Sequence, residues 1–463
     1  VASRLSRIDN LRILLIEAGA GAQQIQDFPE EILSAHIVAG ARPENSFNRL
    51  IPGHITDSRE FTATRGRILG GSSATNGGYF IRPRRADFDE WEAAGHALWG
   101  YNSALSSLRE IENDLTFGST AIHGAEGPVP VSRTSLTPPT VQTFHQASTE
   151  LGFKDHLDMN DQGEDGFGAV PTNTAGDVQY NSAMTYLDPG EERPGLTIWT
   201  DSTVERVLFN GTVAVGVRLR RNGEVIDVHA GEVILSAGAL VTPQLLMLSG
   251  IGPEEELARH SIPLVLDSPQ VGQRLSDHPQ LVSLWMPKEK SEYPAGSWMG
   301  GVLHAHIGSS EIEALQSIRS LSELVGDAPS AATALMLAPV SPRRTGHLKL
   351  VSASIDDPPV VYYNYLADAD VRSDLRKTAR LARDILSTQA VTSQSEWSWG
   401  PTAEECSNDA ALDEWVAQNI GTSMHACATA SFAGENPVVD PEGRVLGVRG
   451  LRIADTSILP AAP

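Results

Sequence analysis

The sequence predicts an α/β fold: a doubly wound parallel sheet accompanied by a run of antiparallel strands. Three observations carry that reading. Leu11-Arg-Ile-Leu-Leu-Ile-Glu17 is a short apolar run that ends in an acid, and Glu232-Val-Ile-Leu-Ser-Ala-Gly238 is a second run that ends in small residues. Strands buried on both faces lose the alternation of a half-exposed strand, so such continuous runs read as parallel strands. Between them, Leu196 to Thr200, Thr203 to Phe209, Thr212 to Leu219 and Val225 to Val228 alternate apolar and polar residues at period two, the pattern of a β-meander.

In chain order, Val1 to Arg7 reads as a short helix, followed by the first apolar strand and the turn Ala18-Gly-Ala-Gly21. Helix, parallel strand and terminal acid make the second half of a dinucleotide-binding βαβ unit, in which the acid accepts from ribose hydroxyls. The strand and G-x-G-x-x-G loop of the first half are not found before Val1, so the sequence is expected to begin inside the first helix of that unit. Residues 280–340 read as irregular and carry no motif. His347 to Ala353 is strand-like. Asp370 to Leu386 is an amphipathic helix with Val371, Leu375, Ala382 and Ile385 on one side. Arg372, Arg376, Lys377, Arg380 and Arg383 occupy much of the rest, read as a solvated face.

The 463 residues are enough for two domains and a large core. The formal net charge of −23 argues against nucleic-acid and anionic-membrane partners. No stretch approaches about eighteen consecutive apolar residues, so no transmembrane segment is expected. Two cysteines, Cys406 and Cys427, suit a reducing, cytoplasmic setting, and no Cys/His cluster has zinc-ligand spacing.

Three segments carry chemistry. Gly66-Arg-Ile-Leu-Gly-Gly-Ser-Ser-Ala-Thr-Asn-Gly-Gly-Tyr-Phe80 lets backbone approach a bulky ligand, and its amides can cradle phosphate; alone, it also fits a tight turn. In Gly238-Ala-Leu-Val-Thr-Pro-Gln-Leu-Leu-Met-Leu-Ser-Gly-Ile-Gly252, Thr242 is placed to cap a helix with Pro243 at its first position and Gly250 at its end. Gly450-Leu-Arg-Ile-Ala-Asp-Thr-Ser-Ile-Leu-Pro460 is a strand ending in Asp455, which can accept from ligand hydroxyls or backbone amides.

The first two segments resemble the two signature patterns of the glucose-methanol-choline (GMC) oxidoreductases, with Thr75 where an aliphatic residue is usual. Val271-Gly-Gln-Arg-Leu-Ser-Asp-His-Pro279 and the terminal motif are similar to two further segments of that family. The resemblance implies a doubly wound FAD-binding domain and a substrate domain built on an antiparallel sheet. The FAD-binding parts are expected at 1–135, 190–278 and 404–463, and the substrate parts at 136–189 and 279–403. It further implies that Glu17 binds the adenosine ribose and that Gly70, Gly71 and Ser72 approach the pyrophosphate and ribityl chain. Asn76, Gly77 and Gly78 would lie against the isoalloxazine. Val204 would meet adenine, with Ala237 close by, and Asp455 would lie near the ribityl and pyrophosphate. Some members attach FAD through a histidine where this chain has Thr75, so noncovalent FAD is expected.

Gly421-Thr-Ser-Met-His-Ala-Cys-Ala-Thr-Ala-Ser-Phe-Ala-Gly434 resembles the family's active-site segment and makes His425 the catalytic histidine. Ala426, Ala428 and Phe432 depart from its proline, glycine and methionine. A neutral imidazole suits the task, because an alcohol must lose its hydroxyl proton as hydride leaves for flavin N5. The segment around His425, Asn76 to Phe80 and Ile122 to Val131 are similar to the mycofactocin-associated branch, which makes reduced mycofactocin a donor beside a small alcohol. The family's second His or Asn is expected beyond Pro463. A lyase that cleaves cyanohydrins and an inactive flavin-binding protein are the alternative readings. The alcohol and the electron acceptor are not specified by any segment.

Overall fold

A computed structural model describes all residues except 23, 94–96, 164, 188–192, 290–292, 326–331 and 342. The expected boundary between residues 189 and 190 lies outside the described residues.

The parallel part consists of two strand pairs. Strand β1 (Ile13–Ile16) pairs in parallel with β2 (Leu196–Trp199), and β3 (Val233–Leu235) pairs in parallel with β4 (Leu451–Ile453). Both apolar runs of the sequence are therefore strands. The alternating stretch needs a correction. Its first segment is β2, which leaves the meander to join β1, while Ser202–Asn210, Val213–Arg221 and Glu224–His229 form the antiparallel three-stranded sheet. Period two identifies a strand but not its partner.

A second correction concerns residues 280–340. They hold Pro279–Pro287, Met299–Ile307, Ser310–Ser320 and Thr333–Pro339, four strands of a seven-stranded sheet whose ladder pairings are antiparallel. The missed signal has a physical cause. Seven consecutive residues of Met299–Ile307 and six of seven in Thr333–Pro339 are buried, so no solvent-facing positions mark the alternation. Strand 279–287 lies near one edge of this sheet, pairs with 333–339, and also receives the two-residue strand Gly421–Thr422. The sheet thus carries the segment that leads into His425.

The helix expected at Asp370 to Leu386 is α2 (Ala369–Ser387), capped by the Asp368 carboxylate, with its apolar face in the core. Its basic side is a packing surface more than a solvated one. Arg376 and Arg380 reach Asp409 at the start of a later helix, Asp409–Asn419 (2.9 and 2.5 Å), and Lys377 donates to Ser310 Oγ at 2.8 Å. The segment Gly238 to Gly252 contains α1 (Thr242–Leu248), but Thr242 is its first residue and not its cap. The Thr242 hydroxyl is instead taken up by Asp455 and Ala237, as described below. Among the described residues no helix is long and apolar enough to cross a membrane.

A buried ionic cluster joins the loop at Arg82 to the region around residues 112–158. His123 Nδ1 donates to Glu112 (2.9 Å), with Asp114 at 3.2 Å, and Nε2 donates to Asp158 (2.8 Å). Arg82 pairs with Glu112 at 2.5 Å, and Arg133 pairs with Asp114 and Asp158 at 2.8 and 3.0 Å. Glu112, Asp114 and His123 approach one another closely enough to share a metal ion. Three carboxylates face two guanidiniums, and the third positive charge is a proton on His123. Burial works against that charge, but the hydrogen bonds to Asp114, Asp158 and Glu112 outweigh it and push the His123 pKa up to about 10. A protonated imidazole has no lone pair for a metal.

The cluster sets a pH window. The His123 contribution is complete below its unfolded pKa of about 6.5 and is lost as pH rises through about 10. Asp114 and Asp158 have lowered pKa values, because hydrogen bonds from His123 and from backbone or Arg133 overcome burial, so their contribution is lost in acid. His123→Leu should destabilise the protein by about 3–5 kcal/mol near neutrality, as expected for breaking a buried charge network. Thermal unfolding of both forms across pH checks this: the gap should narrow above pH 10, and a pH-independent gap would contradict a charged His123.

Candidate functional site

The carboxyl ends of parallel strands in an open sheet form a crevice, because the chain leaves the sheet there with amides unspent. Three of the four parallel strands lead into candidate residues, and the fourth leads into a strand that carries one. β1 runs into Glu17, β2 into the strand that carries Val204, β3 into Ala237 and β4 into Asp455.

The structure brings these residues together in three groups. The first surrounds Glu17. Its Oε1 accepts from Gly19 N at 2.8 Å, and Ser202 N donates to its carbonyl at 2.9 Å, which sets the strand bearing Val204 beside it. Ala20 bridges Ile68, and Leu69 N donates to Ala20 O, so the turn after β1 is stitched to the glycine-rich loop. A Cβ on Gly19 would lie 1.8 Å from Arg67 O, so only glycine allows this approach. A cavity of about 400 Å³ opens here, lined by residues that include Gly19, Phe28, Phe47 and Asp201. Burial raises the Glu17 pKa to about 7, against the hydrogen bond from Gly19 and the charge of Arg67.

The second group is built on Asp455. Its Oδ2 accepts from Gly238 N (2.9 Å) and Thr242 Oγ (2.5 Å), while Oδ1 accepts from Ser457 N (2.9 Å). Thr242 Oγ in turn accepts from Ala237 N at 3.1 Å. Asp455 therefore fixes the turn Ala237–Gly238 and the start of α1. A further cavity of about 470 Å³ borders it, lined in part by Trp99, Ala454 and Leu459.

The third group joins Asn76 to Gly78 with His425. Asn76 Oδ1 accepts from Gly78 N and Gln179 Nε2, and Gly77 O accepts from Trp298 Nε1 at 2.9 Å. Thr75 O accepts from Gly40 N, Gly40 O accepts from Thr64 Oγ, and Met424 Sδ lies 3.9 Å from that hydroxyl, so the loop is linked to the residue before His425. Gly70 and Gly71 lie in the left-handed region, and a Cβ on Gly71 or on Gly238 would meet nothing, so open space flanks both turns. Ser72 and Asn76 are exposed.

His425 is held by the segment Ser276 to Gln280. Ser276 and Cys427 exchange backbone hydrogen bonds, Pro279 and Gln280 pair with Thr422 and Gly421, and Ser423 N donates to His278 O. Asp277 sits in the middle. Its carboxylate accepts from His278 N (2.7 Å), His425 N (2.8 Å) and Thr422 Oγ (3.0 Å), and Tyr365 donates to the same Thr422 hydroxyl. Burial pushes the Asp277 carboxyl up, against the His425 and Arg65 charges and its two amide donors. His425 itself is exposed, whereas residues 426–433 behind it are all buried.

Three polar residues near this site, Arg84, His304 and Glu313, carry no signal in the sequence, and His278 carries none for its role. His278 Nδ1 lies 3.1 Å from His425 Nδ1. Glu313 accepts from Tyr79 Oη at 2.8 Å and from His304 Nε2 at 3.1 Å, and Arg84 donates to His304 Nδ1 at 2.8 Å. Burial opposes charge on Glu313, but the His304 and Tyr79 hydrogen bonds and the His425 charge hold its pKa below the usual range. His304 and Glu313 are cross-strand partners in the antiparallel sheet, so only the pairing of those strands could have joined them. Asp277-His278 was visible as a segment, without a role.

Fold and site together define an α/β protein with a nucleotide-type crevice along parallel strand ends and an antiparallel sheet supporting an exposed histidine. The GMC oxidoreductase family pattern matches residues 14–280 in its N-terminal part and 342–463 in its C-terminal part. An uncharacterised GMC-type oxidoreductase of the thcA 5′ region of Rhodococcus erythropolis is 34% identical over 468 residues, covering 100% of this chain and 91% of that protein. The oxygen-dependent choline dehydrogenase of Paraburkholderia xenovorans is 33% identical over 500 residues, covering 99% and 88%. Among solved structures, pyridoxine 4-oxidase from Mesorbium loti superposes with a TM-score of 0.90 at 24% identity, covering 100% of this chain and 92% of that one. A formate oxidase superposes with a TM-score of 0.88 at 24% identity and the same coverage. The chain belongs to the GMC oxidoreductases and is an FAD-dependent oxidoreductase.

Of the departures beside His425, packing accounts for Phe432. Phe432 is buried against Trp99, with ring centroids 4.8 Å apart, and Ala426 is buried. Ala428, at a position where the family has glycine, keeps φ of +68°. Left-handed backbone costs a non-glycine residue about 1–2 kcal/mol, partly offset by the greater freedom of glycine in the unfolded chain. Ala428→Gly should therefore stabilise the protein by up to about 1 kcal/mol, read as a rise in the chemical-denaturation midpoint at constant slope. A lowered midpoint would show that the strain is absent or that the methyl packs productively.

Proposed function

We propose that the chain oxidises a CH–OH donor, with His425 as the base that takes the hydroxyl proton. The observation that carries this reading is the setting of His425: an exposed residue followed by a buried stretch, 426–433, its backbone amide fixed by Asp277. A general base must meet its proton at hydrogen-bond distance and hold that position, which a pinned backbone provides. Bound FAD supplies the hydride acceptor.

The residues fit that group. Glu17, at the end of β1 and beside the smaller cavity, accepts from adenosine ribose hydroxyls, whose donation favours its charged form. Val204 and Ala237 flank the crevice, and Gly70, Gly71 and Ser72 bring backbone to the pyrophosphate, with open space at Gly71. Asn76, Gly77 and Gly78 would lie against the flavin ring. Asp455 acts through the turn it holds, since its oxygens already accept from Gly238, Thr242 and Ser457. FAD is held noncovalently, because Thr75 offers no nucleophilic nitrogen and is buried with its carbonyl engaged.

A small alcohol is the donor class; choline is a test donor because relatives are choline dehydrogenases, and reduced mycofactocin is a second because of the branch resemblance. Anaerobic bleaching of the flavin spectrum by one of them supports the reading, and a bound flavin that none of a broad alcohol panel reduces favours the lyase or the inactive alternative.

His425→Ala should keep FAD but slow its reduction by about 10²–10⁴, the usual contribution of a general base. Stopped-flow absorbance gives the rate, and a value near that of the wild type would remove His425 from the chemistry. On acid precipitation the yellow colour should stay in the supernatant; colour retained in the pellet would reveal a covalent bond.

A further inference from the structure

His278 takes no part in the reaction as proposed, yet it is 3% exposed and its ring meets the imidazole of the base directly. Its ring stands perpendicular to that of His425, with centroids 5.4 Å apart and an interplanar angle of 87°. The two Nδ1 atoms are 3.1 Å apart. Two imidazole nitrogens at that distance share one hydrogen, so the neutral pair has two arrangements. If His278 donates, His425 carries its own hydrogen on Nε2 and has no free lone pair. If His425 donates from Nδ1, its Nε2 is a bare base.

The base role of His425 selects between them: an exposed ring that takes a proton needs a lone pair on the nitrogen not bonded to His278, and only the second arrangement leaves one there. His278 then carries its hydrogen on Nε2, a buried atom that has no hydrogen-bond partner among the described residues. Protonation of His278 gives no third arrangement, because burial and the His425 charge hold its pKa down to about 3, against the Glu313 charge and the Ala462 backbone.

We propose that His278 is a positioning residue: as a permanent neutral acceptor at Nδ1, it keeps His425 in the Nδ1–H tautomer and leaves His425 Nε2 free as the base. This rests on the reading of His425 as base. The same hydrogen bond serves after proton transfer, since the imidazolium of His425 still donates to His278 and the charge remains on His425. The arrangement resembles in principle the second partner that orients a catalytic imidazole elsewhere, with a neutral ring in place of a carboxylate.

The test is the tautomer itself. In FAD-loaded protein labelled with ¹⁵N-histidine, with His425 signals assigned by their loss in His425→Gln, the wild type should show a protonated Nδ1 and a non-protonated Nε2. His278→Asn keeps an acceptor near the Nδ1 position and should retain that pattern. His278→Leu removes it and should shift His425 toward Nε2–H, with flavin reduction slowed about tenfold or more at unchanged flavin content. A wild-type His425 protonated on Nε2 would overturn the proposal, and so would slowed reduction in His278→Leu with the His425 tautomer unaltered. Failure of the base assignment appears separately, as a normal rate in His425→Ala, because the tautomer is read without turnover.

Discussion

The Asp277 carboxylate carries three hydrogen bonds that belong to three different jobs. It takes the amide of His278, the amide of His425 and the hydroxyl of Thr422, all in a buried setting. The first anchors the strand that enters the antiparallel sheet, the second fixes the candidate base, and the third draws in Tyr365 from the core. A buried carboxylate with fewer donors would be neutral or would force the chain apart; with three it joins the sheet to the crevice. His425 can be exposed on one side because everything behind it is held.

The same economy appears along the parallel strands. Two of them, β1 and β4, lead into an acid whose hydrogen bonds are spent on a turn: Glu17 on Gly19, Asp455 on Gly238 and Thr242. These bonds shape concave backbone, and glycine is required where that backbone crosses another, as at Gly19 over Arg67. The crevice is a property of turns before it is a property of side chains that touch a ligand.

Much of the fold was legible in the chain. Two of the parallel strands, β1 and β3, announced themselves as apolar runs, α2 as an amphipathic pattern, and the glycine-rich loop and the His425 segment as motifs with a fixed order. The family resemblance implied the antiparallel sheet, but its strands were not legible in residues 280–340, because strands such as Met299–Ile307 are buried along nearly their whole length and lose the alternation on which a strand is recognised. Thr242 read as a helix cap by its position before Pro243, yet its hydroxyl answers to Asp455, more than two hundred residues away. The basic face of α2 read as solvated, and Asp409 of a later helix turns part of it into a contact.

The sequence by itself determined the family and the cofactor class and singled out His425 as the candidate base, since these rest on local strings whose chemistry follows from residue type and spacing. Tertiary structure alone decided what surrounds that histidine. His278 meets it across 147 positions of sequence, and Glu313 meets His304 only through strand register. Pairing of this kind is set by which surfaces bury together, and that free energy depends on the assembled fold and not on any one segment.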